Sequence, residues 1–363
     1  MNITQNSSQD TLDSNTGYDS QNRSGPKKSG WSVGIDWLDF TFRRIAGSHE
    51  ADELIKEFEL VTGKSVEFTP GRPTFNGIQW DGSGSGQDGI MIWYRAPHED
   101  DFGECHPAKL KIALPGRALA GVDLYALGQW LVMAGDSREL DCTRMDICLD
   151  DHDKIIKLRR INEARELGHF FNASYSERIE SCKRGEIIGV TLYFGSKSSD
   201  KRLRIYDKTI ESKGKTQGNR WEAQFRRKMA YQAFSQWLET VPRGSAAVSR
   251  LLQNIVLGVI DFRERGDDDA DRTRCPRCAW YSFLLEHLGS NPARIVVKKI
   301  QQTAQRSVNW IRKSVAPTLL SLRSILGDDF KIFLKASINE AAQKLTKEKR
   351  MIINTTDKQE LLY

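Results

Sequence analysis

Three short segments of the chain, residues 144–150, 204–208 and 220–226, alternate polar and apolar side chains. Successive side chains of a strand point to opposite faces, so the alternation predicts three strands with one polar and one apolar face each. The apolar positions predicted to be buried are Ile205, Met145, Ile147, Leu149, Trp221, Ala223 and Phe225. The polar positions are Arg204, Tyr206 and Lys208; Arg144, Asp146, Cys148 and Asp150; and Arg220, Glu222, Gln224 and Arg226. The polar face is typical of a site that handles phosphate.

The remaining pattern predicts strands early in the chain and helices late. Strands are expected at 31–42, 78–80, 90–94, 109–114 and 190–194, and helices at 51–60, 122–134 and 155–168. A polar loop at 195–200 joins two strands as a hairpin, and nearly everything from residue 231 onward reads as helical. Segregated strands and helices indicate an α+β fold with a central antiparallel sheet, which can keep one face in water.

Composition narrows the class of protein. The 363 residues are 39% hydrophobic and 28% charged, with no apolar run long enough to span a bilayer. Residues 1–30 are rich in Asn, Ser, Gln, Asp and Gly and lack the features of a secretory signal, so we expect a disordered polar tail and a cytoplasmic protein. The predicted division is a tail (1–30), a catalytic domain (31–265) and a helical, basic C-terminal region (266–363).

The net charge of +6 favours a polyanionic partner without requiring one. Between residues 298 and 350, basic residues outnumber acidic ones by roughly three to one, as in segments that follow a phosphate backbone. The alternative interpretation of this stretch is a solvated helix surface.

Six scattered cysteines have no disulfide-framework spacing and are expected to be reduced. Cys275 and Cys278 form one CxxC, which is half of a zinc site; Cys182 or His287 could complete it, but a loop entering a helix at residues 280–281 is the favoured interpretation. The acidic break at 265–273 is expected to be a solvent loop, since it lacks the alternation and terminal Glu of a calcium loop.

The polar faces carry a candidate catalytic constellation. Asp146, Asp150 and Glu222 could converge on Mg²⁺ or Mn²⁺, which prefer oxygen ligands. Tyr206 would be the nucleophile, with the metal, Arg204 and Lys208 helping its phenol to ionise. The alternative is cross-strand ion pairs, each contributing about 0.2–1 kcal/mol, around an ordinary strand tyrosine.

Four segments in order, residues 143–150, 192–200, 203–208 and 220–222, resemble the successive motifs of the Rep_trans family of rolling-circle replication initiators and related relaxases. The resemblance spans roughly 31–263 and implies a five-stranded antiparallel sheet, distantly similar to HUH endonucleases but without their histidine pair. It implies that Tyr206 nicks DNA and that Asp146, Asp150 and Glu222 bind the metal. Asp36 fits an early metal-ligand position less securely, and Asp39 competes for it.

The resemblance implies an initiator that nicks one strand at a plasmid double-strand origin through a 5′-phosphotyrosyl intermediate and works with a host helicase and DNA polymerase. It also implies dimerisation. The predicted DNA contacts are Arg144, Lys197, Arg202, Arg220 and Arg226. The alternatives are a conjugative relaxase, a non-catalytic origin-binding regulator and, more weakly, a zinc-bearing adaptor at the CxxC. Nothing in the sequence assigns origin recognition to the region after residue 265.

Overall fold

The computed structural model describes residues 30–343, with gaps at 72, 76, 101–102, 104, 265–274, 296–307 and 309–310. The predicted polar tail up to residue 29, the predicted loop at 265–273 and parts of the basic stretch from 298 to 350 therefore lie outside the described residues. In the described ranges, no helix is both long and apolar enough to cross a membrane.

A ten-stranded antiparallel sheet dominates the fold, in the order β11-β12-β13-β14-β10-β1-β9-β6-β5-β2. Its strands are β1 (Trp31–Ile45), β2 (Val66–Pro70), β5 (Gly82–Gly86), β6 (Met91–Arg95), β9 (Ala108–Pro115), β10 (Leu140–Asp151), β11 (Ser176–Lys183), β12 (Glu186–Phe194), β13 (Lys201–Asp207) and β14 (Asn219–Arg226). Two small hairpins lie apart, β3 (Thr74–Phe75) with β4 (Ile78–Gln79), and β7 (His98–Glu99) with β8 (Cys105–His106).

The helices of the same compact unit are α1 (Ser48–Thr62), α2 (Gly116–Leu119), α3 (Leu124–Gly135), α4 (Leu158–Glu166), α5 (Lys208–Glu211), α6 (Arg227–Thr240), α7 (Ser245–Gly258) and α8 (Ala279–His287). Helices α6 and α7 pack on β10, and their buried Phe234, Trp237 and Leu252 face the apolar side of the sheet. All seven positions predicted to be buried between the polar residues are 1% exposed or less, so the strand-face prediction is confirmed.

The α+β class is confirmed, but the expected five-stranded sheet is wrong, because β1 also pairs with β9 and the sheet continues through β6, β5 and β2. Strand β11 was not predicted at all. Its two faces are both largely charged or polar and most of it is exposed, so it lacks the apolar alternation by which the other strands are recognised.

The chain divides into two compact units, residues 1–297 and 298–363. Helix α8 belongs to the first unit, since Tyr281 is fully buried and its hydroxyl donates to the carbonyl oxygens of Leu257 and Ile260. The described part of the second unit is helical, with helices at Ala316–Leu326 and Phe330–Gln343. The predicted functional boundary at residue 265 remains a prediction.

Candidate active site on the polar face of the sheet

Strand register brings the candidate residues together on the polar face of the sheet. Residues paired across neighbouring antiparallel strands share a face, so each row of partners runs over the same surface. The rows from β13 through β14 to β10 are Tyr206, Arg220 and Asp150; Arg204, Glu222 and Cys148; and Arg202, Gln224 and Asp146. Periodicity predicted the face of each residue, and the register decides which of them are neighbours.

Tyr206 lies within this surface and is only 4% exposed. Its hydroxyl donates to Glu222 Oε2 at 3.4 Å, and Arg204 Nη2 lies 3.5 Å from the phenol oxygen. The Arg204 guanidinium carbon is 4.8 Å from the centre of the tyrosine ring, and Lys208 Nζ is 5.7 Å from it. The predicted grouping of Tyr206 with two cations is therefore present, although Lys208 also pairs with Glu211 at 2.6 Å.

The electrostatic surroundings do not activate the phenol in this arrangement. Burial raises the pKa of Tyr206 well above its ordinary value, and the Glu222 carboxylate raises it further, outweighing Arg204 and Arg220. Arg204 is itself paired with Glu222 at 2.5 Å, and ionisation of the phenol with the help of a metal, Arg204 and Lys208 stays a prediction. Tyr206 is a protonated hydrogen-bond donor until the charge or burial around it changes.

Asp146 is a buried carboxylate, 1% exposed and one row away from Glu222. Burial raises its pKa to about 6; Arg144 opposes this, while the Glu222 and Asp36 carboxylates reinforce it. Arg144 donates to Asp146 Oδ2 through Nη2 at 2.6 Å and stacks over the Trp37 ring, with 4.2 Å from its guanidinium carbon to the ring centre. The Arg144 guanidinium thus partly offsets the negative charge of Asp146, Glu222 and Asp36.

Arg220 joins the remaining two candidate acids. It binds Asp150 with two hydrogen bonds, Nε to Oδ1 at 2.6 Å and Nη2 to Oδ2 at 2.8 Å, and its Nη1 donates to Asp36. Asp36 lies where the register of β1 against β10 shifts, between Ile35 and Trp37. Asp39, the other candidate for the early metal-ligand position, is instead paired with Lys111.

Asp146, Asp150 and Glu222 are not grouped as metal ligands in this arrangement, and their role in binding a metal stays a prediction. Across the part of the chain that the structure describes, no three His, Cys, Asp or Glu side chains are grouped so that they could hold a metal ion. Asp146 and Asp150 are four residues apart on one strand, about 13 Å between Cα atoms. Glu222 and Asp36, by contrast, are both close enough to Asp146 to raise its pKa.

Three of the five predicted DNA contacts are engaged with carboxylates. Arg144 and Arg220 are paired as above; Arg202 pairs with Glu177 and lies over the Tyr193 ring, 3.7 Å from guanidinium carbon to ring centre. Sequence reasoning missed this Glu177 contact because β11 was not predicted. The other two, Lys197 and Arg226, are exposed beside the loop at 195–200, where Arg226 Nη1 lies 3.4 Å from the Lys197 carbonyl oxygen.

The CxxC segment is the entry to a helix, as the favoured interpretation had it. Cys278 immediately precedes α8, and its backbone N–H donates to the Phe262 carbonyl. Both cysteines are free thiols, and burial raises the pKa of Cys278 to about 11.

Comparison with known proteins agrees with this architecture. A protein of Bacillus subtilis (strain 168) is described as "Putative DNA relaxase NicK". It is 24% identical to this chain over 189 residues, which are 49% of this chain and 51% of that protein. The chain thus spans about half the length of this curated relative. The structure of the rolling circle replication initiator protein from Geobacillus stearothermophilus superposes with a TM-score of 0.51 at 20% identity and covers 74% of this chain and all of that one, which supports the fold.

A sequence model of the Rep_trans family, replication initiation factor, matches residues 141–338, more than half of the chain. That range includes β10, β13 and β14, the three strands that carry Asp146, Tyr206 and Glu222. The ordered motifs, the sheet with one polar face and this match lead to one conclusion: the chain belongs to the Rep_trans family of replication initiation factors.

Proposed function

We propose that this protein is a site-specific DNA nicking and closing enzyme that uses Tyr206 as its nucleophile to start rolling-circle replication at a plasmid origin. The observation that carries the proposal is the position of the Tyr206 hydroxyl. It lies 3.4 Å from the Glu222 carboxylate and beside Arg204, on a sheet face whose other side is core. A phenol, a proton acceptor and a guanidinium in contact are the groups that phosphoryl transfer to tyrosine requires.

In the proposed step, the Tyr206 oxygen attacks a backbone phosphorus while the phenol proton passes to Glu222. The bond from phosphorus to the 3′-oxygen breaks, a 5′-phosphotyrosyl linkage forms, and the leaving oxygen takes up a proton to become a 3′-hydroxyl. Arg204, released from Glu222 as that group is protonated, is placed to stabilise charge on the phosphate oxygens. The free 3′-hydroxyl is the primer that a DNA polymerase extends, with a helicase to open the duplex ahead.

The resting geometry explains why the enzyme would be inactive without bound DNA. With the pKa of Tyr206 raised by burial and by Glu222, the phenol stays protonated while no DNA is bound. The enzyme is therefore proposed to become reactive only when DNA lies over the polar face, which suits a protein that cuts one site.

A divalent cation fits the donor chemistry of the crowded acids. Asp146, Glu222 and Asp36 offer only oxygen, and burial raises the pKa of Asp146 with a smaller contribution from the Glu222 and Asp36 carboxylates, a repulsion that a cation would relieve. In the resting arrangement no three acids of the described residues are grouped as metal ligands, so Asp146, Glu222 and Asp36 would have to move closer together to hold Mg²⁺ or Mn²⁺. The ion, when bound, would supply Lewis-acid stabilisation of a phosphate oxygen. Asp150, held by Arg220, is the weaker candidate ligand and is proposed to position Arg220.

A conjugative relaxase is the second candidate function, because the B. subtilis relative carries the name of a DNA relaxase. The chemistry at Tyr206 is the same in both cases, and the difference lies in the DNA site that is recognised. A panel of supercoiled plasmids, each carrying either a replication origin or a transfer origin from the same genetic element, separates them.

The test is a nicking assay on a supercoiled plasmid carrying the cognate origin, with Mg²⁺ or Mn²⁺. Wild type is expected to relax the plasmid and form a covalent protein–DNA adduct, whereas Tyr206→Phe binds DNA but forms no adduct. Tyr193→Phe is the matched control, since Tyr193 lies on the adjacent strand, opposite Arg204. An adduct formed by Tyr206→Phe and lost in Tyr193→Phe would move the nucleophile to Tyr193.

A further inference from the structure

A polar cavity lies at the end of β13, away from the Tyr206 site. It has a volume of about 140 Å³ and is lined by Asn172, Ser196, Ser199 and Lys201 against the apolar wall of Val259 and Ile260. Lys201 lies one position before Arg202, so alternation places it on the opposite face of the strand from Arg204 and Tyr206. The cavity is therefore a separate feature, on the side of the sheet that packs against helices.

Lys201 is a cation without a counter-charge. Its pKa is lowered by burial and by the neighbouring Arg294, with no acidic group opposing the shift. No carboxylate in the described ranges lies within ion-pair distance of its ammonium group. A partly buried ammonium without a partner opposes folding, and an anion in the cavity would relieve that cost.

Two other residues of the cavity, Asn172 and Ser199, have donor groups that are not used within the described residues. Asn172 Nδ2 is buried without a hydrogen-bond partner, and Asn172 holds a left-handed backbone conformation, φ 75°, which asparagine tolerates. Ser199 Oγ accepts from the Lys201 backbone N–H at 3.3 Å, which leaves its own hydroxyl hydrogen free to donate. An amide, a hydroxyl and an ammonium thus surround one space.

The acids at the rim are already neutralised. Asp261, next to Ile260, is bound by Arg263 at 2.7 Å and Arg277 at 3.0 Å, and Arg294 lies 4.0 Å away. Asp200, which precedes Lys201, is paired with Arg227 at 2.8 Å. These two carboxylates are therefore already paired and do not form an ion pair with Lys201.

We propose that this cavity, the Lys201 pocket, binds a phosphate group. A tetrahedral oxyanion accepts from ammonium, amide and hydroxyl donors together, and charge-assisted hydrogen bonds of this kind are the strong ones. A backbone phosphate of DNA remote from the nicked bond is the source favoured by two exposed cations nearby, Lys197 on the hairpin loop that carries Ser196 and Ser199, and Arg226 at the end of β14, which hydrogen-bonds the Lys197 carbonyl oxygen. That choice of source rests on the proposed function; the pocket's affinity for phosphate does not.

The experiment compares Lys201→Met and Asn172→Asp with Lys157→Met, which removes an exposed lysine at the start of α4. In the first arm, DNA binding is measured by anisotropy between 50 and 300 mM salt. Lys201→Met is expected to weaken binding about three- to tenfold for every sequence and to reduce the salt slope by about 0.7–0.9. In the second arm, inorganic phosphate is titrated at constant ionic strength while the melting temperature is followed.

Phosphate is expected to raise the melting temperature of wild type and Lys157→Met but not of Lys201→Met or Asn172→Asp. Folding is not in question for Lys201→Met, because losing an unpaired buried ammonium should not lower its melting temperature without phosphate. If Lys201→Met weakens DNA binding and lowers the salt slope, the ligand is a backbone phosphate. If the pocket variants differ from wild type only in the phosphate titration, the ligand is free phosphate. If both pocket variants match Lys157→Met in both arms while wild type still nicks DNA, the pocket proposal is wrong and the proposed function stands.

Discussion

The buried carboxylate of Asp146 should make the folded protein less stable at neutral pH than it could be. Its pKa is raised to about 6 from 3.8, because burial and two neighbouring acids disfavour the charged form. A folded-state pKa above the unfolded one contributes stability that is complete below about pH 4 and is lost as the pH rises through about 6. The difference corresponds to about 3 kcal/mol in the free energy of unfolding.

Asp146→Asn imitates the protonated acid in shape and charge. At pH 8 it is expected to raise the free energy of unfolding by up to about 3 kcal/mol, and the gain should shrink as the pH falls from 6 towards 4. Arg144 keeps its stacking on Trp37, so the guanidinium is not left in apolar surroundings. The same variant should lose metal-dependent nicking, because it lacks a carboxylate of the proposed metal site, and such a loss of function is the common cost of stabilising a functional site.

Urea denaturation at pH 8.0 and 4.5 measures the effect, with Asp136→Asn as the control. Asp136 is an exposed aspartate at the end of α3, and its replacement should change stability little at either pH. A loss of stability in Asp146→Asn at pH 8, or a gain of equal size at both pH values, would refute the argument from a buried, repelled carboxylate.

Three further outcomes follow from the structure. Glu222→Gln should abolish metal-dependent cleavage while DNA binding by anisotropy stays within about threefold of wild type, as expected for removal of a group that acts only in the chemical step. Full activity of this variant would exclude Glu222 from the active site. Gly218→Ala should destabilise the fold by roughly 1–3 kcal/mol in urea denaturation, since φ is 122° and a Cβ would lie 2.3 Å from the Asp151 carbonyl oxygen. An unchanged unfolding midpoint would contradict this steric argument. Cys278→Ala should retain nicking activity, and metal analysis of wild type should find no zinc, because no third His, Cys, Asp or Glu of the described residues is grouped with the two cysteines. Stoichiometric zinc that is lost in the variant would overturn this.

Sequence alone determined which side of each strand faces the core. Ile205 is buried and Tyr206 lies on the polar face because strand side chains alternate, a property that depends only on neighbours in the chain. The α+β class and the helix entered at Cys278 followed from local patterns in the same way. Strand β11 was not predicted, because this exposed edge strand carries little apolar alternation. The number of strands in the sheet was also not predicted, because strand pairing joins segments that are distant in the chain.

Only the tertiary structure decided what each polar residue touches. Register places Glu222 opposite Arg204 and Cys148, and the shift in β1 brings Asp36, not Asp39, to Arg220. Register is set by hydrogen bonds and packing between distant segments, which residue order does not specify. The directions of the pKa shifts at Tyr206 and Asp146 depend on burial and on those neighbours, so they too arise from the fold and not from the residue types.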